Sequence, residues 1–231
     1  MRPSAPVTVV VVAIPARDEE MLLGGCLAGV LASAEVLRVA RPHVHVEVVV
    51  ALDRCTDASA QVASTYPVVT VATESTGVGP ARDLAVRTGL ARTKAPPAAT
   101  WIACTDADTV VPAHWLLTQL EFADQGAELV VGTVEPNGEV DPLLLRRWHD
   151  RHQLVEGHPH IHGANLGLRA STWALLGGFG EPRSHEDVRL VARARIAGVA
   201  VSATDRTRVS TSARRIGRVD DGFAAYLAAM T

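Results

Sequence analysis

Four times within about the first 130 residues, a short apolar run breaks into a turn rich in acids or glycine, and apolar residues at helical spacing follow. Residues 7–14, Val-Thr-Val-Val-Val-Val-Ala-Ile, are β-branched almost throughout, as a parallel strand covered on both faces requires. The turn Pro15-Ala16-Arg17-Asp18-Glu19-Glu20 follows, and Leu22, Leu23, Cys26, Leu27, Val30 and Leu31 then recur at helical intervals. A second strand over residues 44–52 ends in Asp53-Arg54-Cys55-Thr56-Asp57, where Thr56 or Asp57 can cap a short helix. Residues 68–72 form a third strand, and Pro80 suits the first turn of a helix that carries Arg82 and Asp83. The fourth strand starts at Trp101 and breaks into Asp106-Ala107-Asp108; a helix with Leu116, Leu117 and Leu120 and a fifth strand over 128–133 come next. Strands separated by helices imply right-handed βαβ units, so the expected class is α/β, Rossmann-like, with a mostly parallel central sheet and helices on both faces.

Beyond residue 133 the alternation loosens. Asp141-Pro142 starts a helix expected to reach Glu156, and the breaker-rich stretch 157–165 follows. A strand over 166–168 and a short helix ending at Gly177-Gly178 come next. His185-Glu186-Asp187 opens a helix with Val188, Val191, Ala192 and Ile196 on one face and Gly198 as its stop, and a last strand is expected over 199–203. No repeat or linker divides the chain, so 1–231 is read as one domain. A net charge of -3 and a pI near 6.3 give no general attraction to nucleic acid or anionic membrane. No uninterrupted apolar run, residues 9–14 included, is long enough to cross a bilayer, and no cleavable leader pattern is read at the start. The expectation is a soluble, cytoplasmic protein with no transmembrane segment. Cys26, Cys55 and Cys104 are widely spaced among apolar neighbours, which suits core residues in a reducing compartment.

Acids collect where strands end. In an open α/β sheet, ligands bind outside the carboxyl ends of the strands, which is where Asp106 and Asp108 stand. Two carboxylates one residue apart suit a hard divalent cation, although an acid here also serves as a helix cap. Taken together, Val-Ala-Ile-Pro-Ala-Arg-Asp-Glu-Glu, Asp53 to Asp57, Gly79-Pro80-Ala81-Arg82, Asp106-Ala107-Asp108, Gly163-Ala164-Asn165 and Glu186-Asp187 occur in the order and spacing of the family 2 glycosyltransferases. The chain resembles that family over roughly residues 7–203.

The resemblance implies the GT-A fold, with a nucleotide-binding half over about 1–110 and an acceptor-binding half over about 111–231. It implies a donor of the UDP- or GDP-sugar type and an acceptor hydroxyl. Pro15, Ala16, Arg17, Glu19 and Asp53 would then hold the nucleoside, Arg82 would lie near the diphosphate, and Asp106 with Ala107 would meet ribose or metal. Asp108 would bind Mg2+ or Mn2+. Gly163, Ala164, Asn165 and His185 would face the acceptor or sugar. Asp187 would be the general base, with Glu186 beside it, and inversion at the anomeric carbon would follow. Arg214 and Arg215, with Arg206, Arg208 and Arg218, would form a basic lid over the phosphates or a solvated face. Residues 223–230 would make a small amphipathic helix suited to a homodimer or membrane-surface contact.

Three features stand outside that pattern. Positions 18 and 83 carry Asp where the family commonly has Asn. No histidine follows His185, so water and phosphate oxygens would complete a metal shell. His149, His152, His158, His160 and His162 crowd fourteen residues, without the spacing of a zinc site. Two other readings of the chain are a nucleotidyltransferase of similar sheet and a binding module without turnover. The first would need a glycine-rich phosphate loop after the first strand, where Pro15 to Glu20 stands instead.

Overall fold

The computed structural model describes residues 5–75, 77–137, 142–180 and 185–213. Asp141 as a helix start, the lid arginines Arg214, Arg215 and Arg218, and the helix expected over 223–230 lie outside the described residues.

Strand β1 (Val9–Ala16) is buried at all eight positions, as its β-branched run requires of a central strand. It pairs in parallel with β2 (His45–Asp53) on one side and, across the sheet, with a strand at Thr100–Cys104; β3 (Val69–Thr73) lies outside β2. Numbered in chain order, that fourth strand is β4. The register sets Ala16 beside Leu52 and Ala13 beside Cys104, so the turns after β1, β2 and β4 leave the sheet along one edge. Side chains alternate by face. Val10, Val12 and Ile14 pack beneath α1 (Leu23–Ala40), whereas Ala13, Val49 and Ala51 pack beneath α3 (Val78–Thr93), which gives a core on each face. The short helix α2 (Ser59–Ser64) follows β2.

The second half completes an eight-stranded sheet. A two-residue strand β5 (Thr109–Val110), α4 (Trp115–Asp124), β6 (Leu129–Asn137), α5 (Pro142–Arg151), β7 (Leu166–Arg169), α6 (Ala170–Leu175), α7 (Glu186–Ile196) and β8 (Val201–Ser212) follow in order. The sheet runs β3-β2-β1-β4-β7-β6-β8-β5. It is parallel except where β7 runs against β4 and β6, and where β5 runs against β8. The α/β class with helices on both faces is therefore observed.

The differences from the expected elements have local causes. Helix α5 ends at Arg151 and not at Glu156, with the His152 amide still bonded to the Trp148 carbonyl as the last turn closes. Strand β8 extends nine residues past 203 because Thr204, Thr207, Val209 and Thr211 alternate inward. Threonine fills apolar slots there, which a search for hydrophobic alternation passes over. Helix α1 is long and apolar enough to span a bilayer, a property that the uninterrupted-run criterion missed because Gly24, Gly25 and Ser33 interrupt it. In this fold Leu23, Cys26, Leu27, Val30 and Leu37 are buried against the sheet. Each such buried aliphatic contributes about 1.5–3 kcal/mol. Cys26 and Cys104 are core residues, as expected, and Cys55 is half-buried; burial pushes the Cys104 thiol up to about 12 and that of Cys26 higher still.

Candidate active site

The turn after β1 is built by its acids. Asp18 takes the left-handed conformation (φ 51°), which Asn and Asp tolerate better than other residues with a side chain. Its Oδ1 accepts the Thr56 amide at 2.7 Å and the Thr56 hydroxyl at 3.2 Å, and that amide bond holds its carboxyl below the usual range. The Glu20 amide donates to Asp57 Oδ2 at 2.9 Å, and the Ala58 amide donates to Glu20 Oε2 at 2.8 Å. The β1 and β2 turns are thereby locked together. Pro15, Ala16 and Glu19 are buried in this frame, Arg17 is exposed, and Asp53 is buried with Oδ1 accepting the Ser75 amide at 2.8 Å. A groove of about 590 Å³, lined in part by Ser75, Pro80, Leu84, Arg87 and Gly180, adjoins that tie and not Asp108 or Asp187. Among the described residues, Asp18, Cys55 and Asp57 are the one set of three whose ligand atoms lie within 4.8 Å of one another. Both carboxylates are already used to fix backbone amides.

Arg82 is the centre of the edge. It is 1% exposed, although it stands on the first turns of α3. Its Nη2 donates to Asp106 Oδ1 at 2.6 Å, its Nη1 donates to Glu186 Oε1, and its guanidinium lies 5.2 Å from the Phe179 ring centroid. Burial alone would pull the guanidinium down, but Asp106 and Glu186 more than offset it, so Arg82 is charged at every accessible pH. One side chain thus brings the end of β4 and the start of α7 together. Asp106 keeps about a third of its side chain exposed. Ala107 is buried between the two acids of the strand end.

Asp108 is held from the far edge of the sheet. Thr211 Oγ1 lies 3.3 Å and Thr109 Oγ1 3.5 Å from Asp108 Oδ1, the two threonines bond each other at 2.9 Å, and the Ser212 amide donates to the Asp108 carbonyl at 3.1 Å. Strands β5 and β8 therefore set this carboxylate. Sequence reading missed Thr211, and the inward threonine alternation of β8 was the signal for it. Oxygen donors from a carboxylate steadied by hydroxyls fit a hard divalent cation.

Asp187 lies on the first turn of α7. Its Oδ2 accepts the Gly163 amide at 2.6 Å and its Oδ1 accepts its neighbour Val188's amide at 2.7 Å. Burial and then the Glu186 charge hold its carboxyl above the usual range, while the Val188 amide, the Arg82 charge and the Gly163 amide pull the other way. A carboxylate with raised proton affinity is a better base near neutral pH than an exposed one. Gly163 is required by space: a Cβ there would come within 2.9 Å of Arg82 Nη2.

Ala164 is buried in the same 3-10 turn as Gly163. Asn165 is 1% exposed and its amide is spent inside the protein. Trp115 Nε1 donates to its Oδ1 at 2.9 Å, and its Nδ2 donates to the Thr133 and Thr207 carbonyls at 2.8 Å each. Asn165, expected to face the acceptor, ties β6, β8 and α4 with both ends of its amide. His185 is exposed, in the left-handed conformation (φ 58°) just before α7. Asp83 also proves to be a tie. Its carboxylate accepts Trp173 Nε1 at 2.8 Å and the amides of Phe179 and Gly180 at 3.0 to 3.4 Å, fixing the turn that carries Phe179 beneath Arg82.

The histidine-rich stretch forms an aromatic row. His152 stacks on Trp148 at 3.4 Å, His160 lies 4.6 Å from His152, and His162 lies 6.4 Å from Trp148, His152 and His160. Burial, and then the neighbouring imidazoles, push His162 down to about 3; burial also lowers His152 and His160. The row is therefore uncharged at neutral pH, and it runs into Gly163 beside Asp187.

Comparison with known proteins bears on the family and the fold. The model of the family described as Glycosyl transferase family 2 matches residues 11–175, most of the chain. No curated protein sequence matches it. The crystal structure of S. aureus TarS 1-349 is similar at TM-score 0.63 and 17% identity, over 97% of this chain and 69% of that one. The mannosyltransferase PcManGT from Pyrobaculum calidifontis, in complex with GDP-Man and Mn2+, gives 0.64 at 20% identity, over 93% of this chain and 59% of that one. The glucosyl-3-phosphoglycerate synthase of M. tuberculosis gives 0.59 at 20% identity, over 97% and 76%. At such identities the likeness speaks for the fold, which is GT-A, and the family match speaks for descent: this chain belongs to glycosyl transferase family 2.

Proposed function

We propose that the chain transfers a sugar from a UDP- or GDP-sugar to an acceptor hydroxyl, with inversion at the anomeric carbon and with Asp187 as general base. The observation that carries this reading is the Asp106–Arg82–Glu186 bridge, which sets the acidic strand end and the acidic helix start at one edge of the sheet. PcManGT, in complex with GDP-Man and Mn2+, and GalNAc-T7, with UDP, GalNAc and Mn2+, share the fold. They support a nucleotide-sugar donor and a divalent cation for this chain.

On this reading the edge formed by the β1, β2 and β4 turns receives the nucleotide, with Asp106 turned toward its ribose. Asp108 would hold the cation. When bound, Mg2+ or Mn2+ supplies positive charge against the diphosphate as it departs. Asp187 takes the proton from the acceptor hydroxyl as that oxygen attacks. Its two amide donors aim the carboxylate, and its raised proton affinity suits it to that transfer. Glu186 is occupied by the Arg82 guanidinium, which leaves Asp187 as the base. The acceptor approaches beside the uncharged Trp148–histidine row, whose flat faces suit a sugar or another ring with little charge.

The test separates binding from chemistry. Asp187→Ala is expected to bind UDP or GDP with cation as the wild type does while losing transfer by about 100-fold or more, the scale of a general base. Product formed by the wild type should show the inverted anomer by NMR. Full turnover in Asp187→Ala, or a retained anomer, contradicts the assignment.

A further inference from the structure

Arg82 stands where resemblance puts a diphosphate ligand, yet its surroundings describe a different task. The guanidinium is enclosed: Asp106 and Glu186 take its two terminal nitrogens, Phe179 covers its face, and Gly163 packs so closely that a Cβ there would come within 2.9 Å of Nη2. Its Nε is buried without a hydrogen-bond partner among the described residues, so that nitrogen is closed to phosphate as well. Glu186 in turn precedes Asp187, whose Oδ2 holds the Gly163 amide. Arg82, Glu186, Asp187 and Gly163 thus form a closed ring of contacts, and Asp106 is attached to it from the strand end.

We infer that Arg82 is the positioning residue that couples the two halves of the site, fixing Asp106 on the donor side and, through Glu186, the base Asp187 on the acceptor side, and that it is not a ligand of the diphosphate. The inference rests on the glycosyltransferase reading above. Its physical content is that a planar fork with donors on two edges can join two carboxylates at fixed angles, which a lysine ammonium cannot reproduce. Without the fork, Asp106 and Glu186 lose the donors that set their directions, and the turn that carries Asp187 loses one of its anchors.

The experiment compares nucleoside monophosphate and diphosphate binding by calorimetry, with Mn2+ present, for the wild type, Arg82→Lys and Arg82→Met. A diphosphate ligand lost from the site weakens the diphosphate by about tenfold or more and leaves the monophosphate of the same nucleoside less affected. A positioning residue leaves the ratio of the two dissociation constants within about threefold of the wild-type ratio. Steady-state kinetics add a second readout. Arg82→Lys is expected to lower kcat by about tenfold or more with little change in the donor KM. Glu186→Gln placed in the Arg82→Met background is expected to cost far less than it does alone, because the two residues act as a unit.

Arg82→Lys retains a charge in the same place, so it serves if Arg82→Met does not fold. A collapse of the phosphate ratio in either variant, or additive effects of Arg82→Met and Glu186→Gln, overturns the inference while leaving the glycosyltransferase reading intact. Absence of cation-dependent nucleotide binding in the wild type removes the reading and this inference with it.

Discussion

Replacing Asn165 with alanine tests whether the site is framed from behind in the manner described. The substitution leaves the buried indole of Trp115 without its acceptor and takes a donor from the carbonyls of Thr133 and Thr207. Each neutral bond contributes about 1 kcal/mol net, and a buried donor left stranded costs about 1–3 kcal/mol. The sum is about 3–5 kcal/mol, a large part of the roughly 5–15 kcal/mol that holds a domain folded. For a chain of this size each kcal/mol moves Tm by about 2–4 °C, so a fall of about 6–20 °C is expected. Thermal and urea unfolding followed by tryptophan fluorescence measure it, because Trp115 is itself a reporter. Asn165→Asp supplies the sign: a carboxylate opposite two carbonyl oxygens has its proton affinity raised in the folded state, so that variant's stability is best at low pH and declines as pH rises through the raised value. A loss below about 1 kcal/mol, or a raised acceptor KM at unchanged stability, would refute the structural role and return Asn165 to the acceptor.

Other outcomes follow from the same contacts. Asp83→Ala should lose about 3–5 kcal/mol in urea titrations, since it strands the Trp173 indole and two amides; a loss under about 1 kcal/mol contradicts the tie. Asp18→Ala should be less stable than the wild type at neutral pH. Because the folded Asp18 carboxyl is depressed, that difference should be fully present above the unfolded value of about 3.9 and be lost as pH falls from there through the lower folded value; a pH-independent gap would tell against the Thr56 bond as its source. The acid limb of kcat/KM should lie above the ordinary aspartate range, because burial and Glu186 raise Asp187; an acid limb at ordinary aspartate pH disagrees with the burial of the base. Gly163→Ala should lower kcat by about tenfold or more with nucleotide affinity retained, since its Cβ would displace the Arg82 guanidinium; unchanged kcat argues against the contact ring.

The parallel half of the sheet was legible because its strands are apolar on both faces and each ends in a turn with an acid or a glycine, so periodicity and punctuation agree. Strand β8 was legible only in its first residues, since its inward positions are threonines whose burial depends on β5 and β6 being beside it. Candidate site residues could be proposed from motif order, but their partners could not. Arg82 lies 24 residues from Asp106 and 104 from Glu186, and nothing local marks which carboxylate it meets. Asp18 and Asp83 looked like departures from a family pattern, and the structure shows what each carboxylate holds: one locks two turns, the other fixes the turn beneath Arg82. For Asn165 the sequence was ambiguous, because an amide in a motif next to a glycine suits a ligand contact as well as it suits a tie between strands.

The most direct measurement is nucleotide release from a panel of UDP- and GDP-sugars, each run with Mn2+, with Mg2+ and with chelator, on the wild type and on Asp108→Ala. The account predicts release from at least one donor in the presence of a divalent cation, loss of it with chelator, and loss of the cation response in Asp108→Ala. Equal release with and without cation in both proteins, or none from any donor, would contradict it.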